Sequence, residues 1–395
     1  MVEFFIFLYL FYVVFKIAIS IFQYNFVMRQ NTNMPKILDD ENFLIAKSYA
    51  LEKEKLSIAS SIFDLAIFAF WIGFGLSFLD SAVDVQSQFL KAVIVVDLFI
   101  VINWFFSLPL ELYQTFWLDK KYNFSTIDAP MFVKDTIKSA LLFLVFGSSL
   151  IFALAFVVGS FKLWWIYGAG LMIATIILAN ILYPIIRDKM FDKFEPLKDL
   201  ELNQKIQNLL SSVGFESSGV FSVDASKRDN RLNAYFGGLG KTKRVVLFDT
   251  LVQKLSHNEL LAVLGHELGH FKNKDMIKNI VSMSALMVLL FGFFGNIPES
   301  VFEQLSLKFE ASSILVFVLI FSTPILFFAM PLMWYFSRQN EYGADEFGAN
   351  LQSKEDLRSA LLKLANENKS FPFSHKLQVF FYYSHPPLTQ RLEKL

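Results

Sequence analysis

Long apolar runs alternate with polar segments along this chain. A helix needs about 20 mostly apolar residues to cross a bilayer, and a sliding window along the sequence identifies such stretches. The runs predict about seven transmembrane helices, although one of the shorter runs can equally lie at the membrane surface. They extend from about Phe4 to Val27, Ile58 to Leu79, Ala92 to Trp117, Ala140 to Val158, Trp164 to Ile186, Ile280 to Phe294 and Ile314 to Phe336.

The polar segments between these runs are alternately rich and poor in Lys and Arg. Cytoplasmic loops carry the excess of basic residues in membrane proteins. This rule places the N-terminus outside, and puts both the polar block 187–278 and the C-terminal tail in the cytoplasm. The first run begins near the acidic Glu3 and lacks a small-residue cleavage site, which favours a retained anchor over a signal peptide.

The polar block shows both helical and strand patterns. Ser256 followed by Glu259 forms a capping box that opens a helix, and this helix can run past Asp275 into the sixth apolar run. A turn is predicted at residues 237–240. The remaining predictions are an amphipathic helix from Asn203 to Val213 and strands at Val220 to Val223, Asn233 to Phe236 and Arg244 to Phe248.

These patterns together predict a mainly α, polytopic membrane protein with a small α+β domain on the cytoplasmic side. We divide the chain into residues 1–186, with five spans, and residues 187–395. The second part holds the α+β domain, the sixth and seventh spans and the tail.

The composition supports this class and excludes several chemistries. Of the 395 residues, 54% are hydrophobic, and the mean hydropathy of +0.45 is typical of membrane proteins. The formal net charge is zero, which argues against a nucleic-acid partner held by bulk electrostatics. The absence of cysteine excludes disulfides, thiolate metal ligands and a cysteine nucleophile, so a metal would need His, Asp or Glu.

The segment His266-Glu267-Leu268-Gly269-His270 carries the chemistry. Residues four apart lie on one face of an α-helix, so both imidazoles can reach one ion. In this H-E-x-x-H pattern the two histidines bind zinc, and Glu267 takes a proton from a water molecule on the metal. Coincidence is the alternative, and the five histidines of the chain make a chance match rare.

A catalytic zinc needs a third protein ligand and an open position. Glu341 and Asp345 follow the seventh run and lie four residues apart, on one face of the predicted helix. Glu341 can complete the site, and Asp345 can hold a ligand histidine through its second ring nitrogen. A solvated acidic face at the end of a membrane helix is the alternative.

These residues resemble the type I CAAX prenyl proteases, integral-membrane zinc metallopeptidases of the gluzincin group. The resemblance covers nearly the whole chain. It rests on the seven runs, HELGH at His266 to His270, Ser337-Arg338 through Glu341 to Asp345, Asn233 to Phe236, Val246 to Thr250, Ser384 to Leu388, Pro109, Tyr113 to Phe116 and Tyr122 to Phe124.

The resemblance implies a role for each matching position. One Zn2+ per chain would be bound by two histidines and a glutamate, and the spans would enclose a chamber that opens to the metal near the cytoplasmic side. His385 would stabilise the oxyanion, and Asn233-Ala234-Tyr235 would bind the substrate peptide along an edge strand. The metal ligands would be His266, His270 and Glu341. Glu267 would be the general base, and Asp345 would hold a ligand histidine through its second ring nitrogen.

Several of these residues have plainer interpretations. His385, before two prolines, could end a helix, and Asn233 could be a turn residue. Arg391 is expected to pair locally with an acidic group, with a role in the site as the second hypothesis. Charged residues at membrane depth are functional candidates, although water in a chamber could also explain Lys16, Asp64 and Asp97.

The predicted substrate is a peptide or protein, with or without a prenyl group. The chain is shorter than expected for eukaryotic members and lacks a retrieval signal, which favours a prokaryotic homologue in a bacterial inner membrane. Two other functions remain open. One is an HtpX-like quality-control protease for membrane proteins, and the other is a transporter or channel with a structural metal. The sequence does not fix the oligomeric state.

Overall fold

The computed structural model describes residues 1–31, 37–191, 193–237 and 243–395. Within these ranges, seven helices are long and apolar enough to cross a membrane. Each predicted apolar run lies inside one of these helices, so the number and order of the predicted spans are confirmed.

The first five spans are formed by eight helical segments. Three of these spans contain a π-helical turn, where the helix widens locally and then continues. The turns are Trp71–Gly75, Gln114–Leu118 and Phe143–Gly147. The segments are α1 (Val2–Arg29), α2 (Asp40–Phe70), α3 (Leu76–Ala82), α4 (Gln88–Tyr113), α5 (Asp119–Lys121), α6 (Ala129–Leu142), α7 (Ser148–Ser160) and α8 (Trp164–Met190).

Phenylalanine rings fill much of the interior between these helices. Phe5 of α1 is buried, and its ring centroid lies 4.9 Å from that of Phe317 and 5.1 Å from that of Phe321. Two of the charged residues in these spans pair with each other, because Lys16 Nζ lies 3.2 Å from Asp64 Oδ2. Such pairing reduces the cost of placing a charge among apolar groups.

A four-stranded sheet forms the centre of the polar block. It comprises β1 (Phe194–Pro196), β2 (Val220–Val223), β3 (Ala234–Gly237) and β4 (Arg244–Phe248), in the order β1-β2-β4-β3. β2 and β4 are parallel, and the outer pairs are antiparallel. β2 and β4 match the prediction, β3 is shifted by one residue, and β1 was not predicted. The predicted turn beyond Gly237 lies outside the described residues.

Three helices flank the sheet, namely α9 (Leu200–Ser212), α10 (Asp249–Lys254) and α11 (His257–Lys272). The amphipathic helix predicted from Asn203 is thus confirmed, with an earlier start. Leu202 and Ile206 of α9 are buried, as are Val245 and Val246 of β4, in one apolar cluster that also includes residues of α11. The sheet therefore supports the helix that carries the histidine motif.

The sixth and seventh spans are α12 (Asp275–Phe294) and α14 (Ala311–Leu351), with the short α13 (Ser300–Gln304) between them. The prediction that α11 can continue into the sixth span is wrong. The helix breaks at Asn273 and Lys274, because Lys274 adopts a left-handed conformation with φ of 56°. α14 is 41 residues long and extends well past Phe336, where the apolar run ends.

The tail returns to the motif helix through α15 (Lys354–Glu367), α16 (Lys376–Tyr382) and α17 (Leu388–Lys394). α15 packs against α11, and α16 packs against α14 and α1. The residues between α16 and α17 therefore lie near both the membrane helices and the histidine motif.

Candidate active site

The capping box fixes the start of α11. The Ser256 backbone N–H donates to Glu259 Oε2 at 2.8 Å, and the Glu259 N–H donates to Ser256 Oγ at 3.4 Å. Glu259 also accepts from Ser359 and Lys363 of α15 at 2.6 and 2.7 Å. The helix that carries the motif is thus held at its first turn by two independent contacts.

Small residues allow α11 and α14 to approach closely. Gly265 and Gly269 of α11 face Gly348 and Ala344 of α14. A Cβ atom on Gly348 would lie 2.6 Å from the backbone nitrogen of His266, and one on Gly269 would lie 2.8 Å from Ala344 Cα. Real Cβ atoms do not come so close to backbone, so this crossing requires glycine. The close approach brings Glu341 to the two histidines.

His266, His270 and Glu341 form the only cluster of metal-ligand type in the described residues, with one ligand atom from each lying within 4.8 Å of the others. His270 Nε2 lies 3.2 Å from Glu341 Oε1, and His266 Nε2 lies 3.6 Å from Glu341 Oε2. Glu341 Oε2 is buried and accepts no hydrogen bond from any described residue. A buried carboxylate that faces one imidazole nitrogen with each oxygen, and whose Oε2 accepts no hydrogen bond, fits a cation.

Each histidine is held by a second carboxylate on its other ring nitrogen. His266 Nδ1 lies 2.9 Å from Asp345 Oδ1, and His270 Nδ1 lies 2.9 Å from Asp275 Oδ2. An ionised carboxylate only accepts hydrogen bonds, so each Nδ1 must carry the proton and donate. Nε2 is therefore the nitrogen of each ring that is left to bind a metal, the usual arrangement around metal-binding histidines.

Arg391 of α17 fixes Asp345 in turn. Its Nε donates to Asp345 Oδ2 at 2.8 Å and one terminal nitrogen donates to Oδ1 at 2.5 Å, which is a bidentate pair. A terminal nitrogen also lies 3.7 Å from Glu341 Oε2. The expected pairing of Arg391 with an acidic group is thus observed, but with a partner 46 residues away.

Glu267 lies between the two histidines in sequence. No described residue hydrogen-bonds its carboxylate, and burial raises its pKa above the ordinary value of a glutamate. A raised pKa suits a carboxylate that must take up a proton and release it again.

His385 lies beside the same cluster. Its Nε2 is 3.2 Å from Glu341 Oε1, and its Nδ1 is 2.8 Å from Ser384 Oγ. The His385 side chain is exposed to the cavity, but desolvation by the protein around it lowers its pKa, which favours the neutral ring. His385 and Arg391 also line a cavity of about 930 Å³, which is bounded by α1, α2 and the segment from α15 to α17.

Asn233, Ala234 and Tyr235 are not among the residues of the metal cluster. Ala234 and Tyr235 belong to β3, which is at the edge of the sheet and packs against α11. Asn233 precedes the strand, and its carbonyl accepts from the Phe248 N–H at 3.1 Å. The structure therefore places an edge strand next to the motif helix, as the resemblance implies.

Asp275 was missed by the sequence reasoning, which treated it only as part of a continuing helix. It is 4% exposed, and its Oδ1 accepts from Lys278 Nζ at 2.8 Å. Its position five residues after the second histidine was the available signal.

Comparisons with known proteins agree with this geometry. The model of "Peptidase family M48" matches residues 196–395, and that of "CAAX prenyl protease N-terminal, five membrane helices" matches residues 23–193. A CAAX prenyl protease 1 homolog of Oryza sativa subsp. japonica is 31% identical, over 96% of this chain and 95% of the relative. CAAX prenyl protease 1 of Saccharomyces cerevisiae is 32% identical, over 92% of this chain and 88% of the relative.

The fold is also similar to a solved structure. The crystal structure of S. mikatae Ste24p superposes with a TM-score of 0.88 and 27% identity, covering 98% of this chain and 97% of that one. Seven helices of the described residues are long and apolar enough to cross a membrane, so the chain is a multi-pass membrane protein. It belongs to peptidase family M48, as a metallopeptidase of the CAAX prenyl protease family.

Proposed function

We propose that this protein is a zinc endopeptidase that cleaves CAAX-type prenylated peptides or related membrane-associated peptides. The observation that carries the proposal is the cluster of His266, His270 and Glu341, in which each Glu341 oxygen faces one imidazole nitrogen and Oε2 accepts no hydrogen bond. The substrate class rests on the relatives, which are named as CAAX prenyl proteases.

One Zn2+ per chain suits this ligand set. Two histidines and one carboxylate, with a fourth position open, are typical of catalytic zinc. A structural metal, as in a transporter or channel, would be expected to have four protein ligands, and the described residues offer three. When bound, zinc would polarise the scissile carbonyl and lower the pKa of a water molecule.

The protein groups would then carry the proton transfers. Glu267 takes the proton of the attacking water and later delivers it to the leaving amine. The neutral His385 ring has a single N–H, and this hydrogen lies on Nε2 because the Glu341 carboxylate oxygen 3.2 Å away only accepts hydrogen bonds. Nδ1 then accepts from the Ser384 hydroxyl. Nε2–H can therefore donate to the oxyanion that develops on the substrate carbonyl.

The substrate peptide would add to β3, the edge strand of the sheet in the described residues. Backbone groups of Ala234 that point away from β4 would hold it extended beside α11. Tyr235, whose backbone faces Val246 of β4, and Asn233, which pairs with Phe248, would fix the position of that edge. Such pairing recognises the backbone of the substrate more than its side chains, so it suits an endopeptidase that accepts varied sequences.

We also propose the domain division at residue 186 and a cytoplasmic peptidase region with the N-terminus outside. The two family models meet between residues 193 and 196, which supports the division. The asymmetry of basic loops supports the orientation. The assignment to a prokaryote and to a bacterial inner membrane remains a prediction from chain length.

The decisive experiment compares detergent-purified wild type with Glu267→Gln. Bound zinc is measured in both, together with cleavage of two peptides that differ only in a farnesyl group on a C-terminal CAAX cysteine. We expect equal zinc in both proteins and cleavage by wild type alone. Glu346→Gln removes an exposed carboxylate of α14 and should leave the rate unchanged.

Each outcome has a definite meaning. Turnover by Glu267→Gln at near the wild-type rate would refute the assignment of the general base. Preference for the farnesylated peptide supports CAAX processing, whereas equal cleavage of both peptides supports general membrane proteolysis of the HtpX-like kind.

A further inference from the structure

The cavity next to the metal cluster is lined by one buried carboxylate, that of Glu54. Its volume of about 930 Å³ lies in the range of ligand pockets, and His385 and Arg391 line it at the active site. Among the described residues that line it, Glu54 of α2 is the only carboxylate. A ligand in this cavity would thus contact both the catalytic groups and the Glu54 carboxylate.

Glu54 is buried, with 9% of its surface exposed. Ser20 lies beside its carboxylate, and Ser20 Oγ is 3.0 Å from Ser57 Oγ. The Ser20 hydroxyl donates to the acid and the adjacent Lys53 attracts it, but no cation of the described residues forms an ion pair with it. A buried carboxylate that no cation contacts is unfavourable, which makes Glu54 a functional candidate.

Three of the four Lys and Arg residues that line the same cavity are engaged elsewhere. Arg231 pairs with Asp229 at 2.6 Å, Arg391 is held by Asp345, and Lys369 Nζ donates to the Tyr122 carbonyl at 2.9 Å. Lys53 attracts Glu54 without forming an ion pair with it, and its Nζ lies 5.6 Å from the Tyr49 ring centroid. Among the described residues, direct contact of Glu54 with a cation is thus left to a bound ligand.

We propose that Glu54 binds a cationic side chain, Lys or Arg, of the substrate peptide in this cavity and so selects basic substrates. The proposal rests on the peptidase function proposed above, since the ligand is the substrate itself. A desolvated carboxylate and a cation form a strong contact when a hydroxyl group satisfies a remaining hydrogen bond, and Ser20 does so for Glu54.

The test measures binding apart from catalysis. Fluorescein-labelled farnesyl-CAAX peptides carry Lys or Gln at one position at a time, and their Kd values are measured by anisotropy on the Glu267→Gln protein. We expect Lys to bind about tenfold more tightly than Gln at one position, because the ion pair forms only there. Adding Glu54→Gln should reduce that ratio to about one, while Glu54→Asp should retain part of it.

The matched control is Glu52→Gln on the same helix. Glu52 accepts from Lys121 at 2.6 Å and does not line the cavity, so this variant should keep the preference for Lys.

Three results would overturn the proposal. They are equal binding of Lys and Gln peptides at every position, a preference that survives Glu54→Gln, and a preference that Glu52→Gln also abolishes. A wild-type protein that hydrolyses none of the peptides would instead refute the proposed function, and the binding series would still decide the role of Glu54.

Discussion

Asp275 should control how tightly the site holds its metal. Its Oδ2 accepts from His270 Nδ1–H at 2.9 Å, and its Oδ1 accepts from the Lys278 ammonium at 2.8 Å. Asp275→Asn keeps the shape but turns one of these oxygens into an NH2 group. That group must face either His270 Nδ1 or Lys278, and each of these positions already holds a donor.

The magnitude follows from the role of the contact. If the amide NH2 faces His270, the ring proton moves to Nε2 and blocks the metal-binding nitrogen. Loss of such a supporting carboxylate typically costs about 10- to 100-fold in metal affinity, or roughly 1.4–2.8 kcal/mol. Lys278→Met removes the competing donor, so the double variant should regain part of the affinity through the amide oxygen.

The assay is competition for zinc with a fluorescent chelator on detergent-purified protein. Wild type, Asp275→Asn, Lys278→Met and the double variant are compared at one pH. Lys278→Met alone should bind zinc nearly as wild type does, since it leaves the acceptor for His270 intact. The reasoning fails if Asp275→Asn binds zinc within twofold of wild type, or if the double variant is weaker still.

Three further predictions use the same protein. Burial lowers the pKa of His270, but hydrogen bonds to Glu341 and Asp275 outweigh it and raise the pKa to about 9 in the metal-free site. Metal must displace that proton, so chelator competition should show affinity rising about tenfold per pH unit from pH 7 to 9 and levelling off above. His385→Ala should lower kcat about 100- to 1,000-fold in the peptide assay with zinc content unchanged, and unchanged kcat would exclude its role at the oxyanion. Gly348→Ala should displace His266 from Glu341, which would reduce both zinc content and the midpoint of thermal unfolding, and wild-type values of both would contradict the tight crossing.

The parts of the fold that depend on local pattern were predictable from the sequence. Apolar runs located all seven spans because a lipid environment demands continuous hydrophobicity. β2 and β4 were found because short β-branched stretches are bounded by polar residues. The extents of the membrane helices were less well predicted. α2 and α14 continue as helices into polar sequence, where hydropathy does not indicate a helix.

The candidate site divides in the same way. His266, Glu267 and His270 follow from spacing on one helix, and the structure brings Glu341 and Asp345 to them. Asp275 and Arg391 could not be assigned, because their contacts depend on tertiary structure. Asp275 reaches His270 because the helix breaks at Lys274, which has a left-handed conformation. Lysine seldom adopts this conformation, so the sequence does not predict the break.

The metal site joins membrane helices to the peptidase region. α14 has 41 residues, or about 60 Å at 1.5 Å per residue, whereas a bilayer core is about 30 Å thick. The same rigid helix that crosses the membrane therefore carries Glu341 and Asp345 out to α11. Asp275, the first residue of α12, ties His270 to a second span. The ligand cluster is thus positioned by two membrane-spanning helices and by the helix packed on the sheet. The height of the cluster relative to the bilayer is fixed by this arrangement, and a bound metal would stabilise the packing of α11, α12 and α14 together.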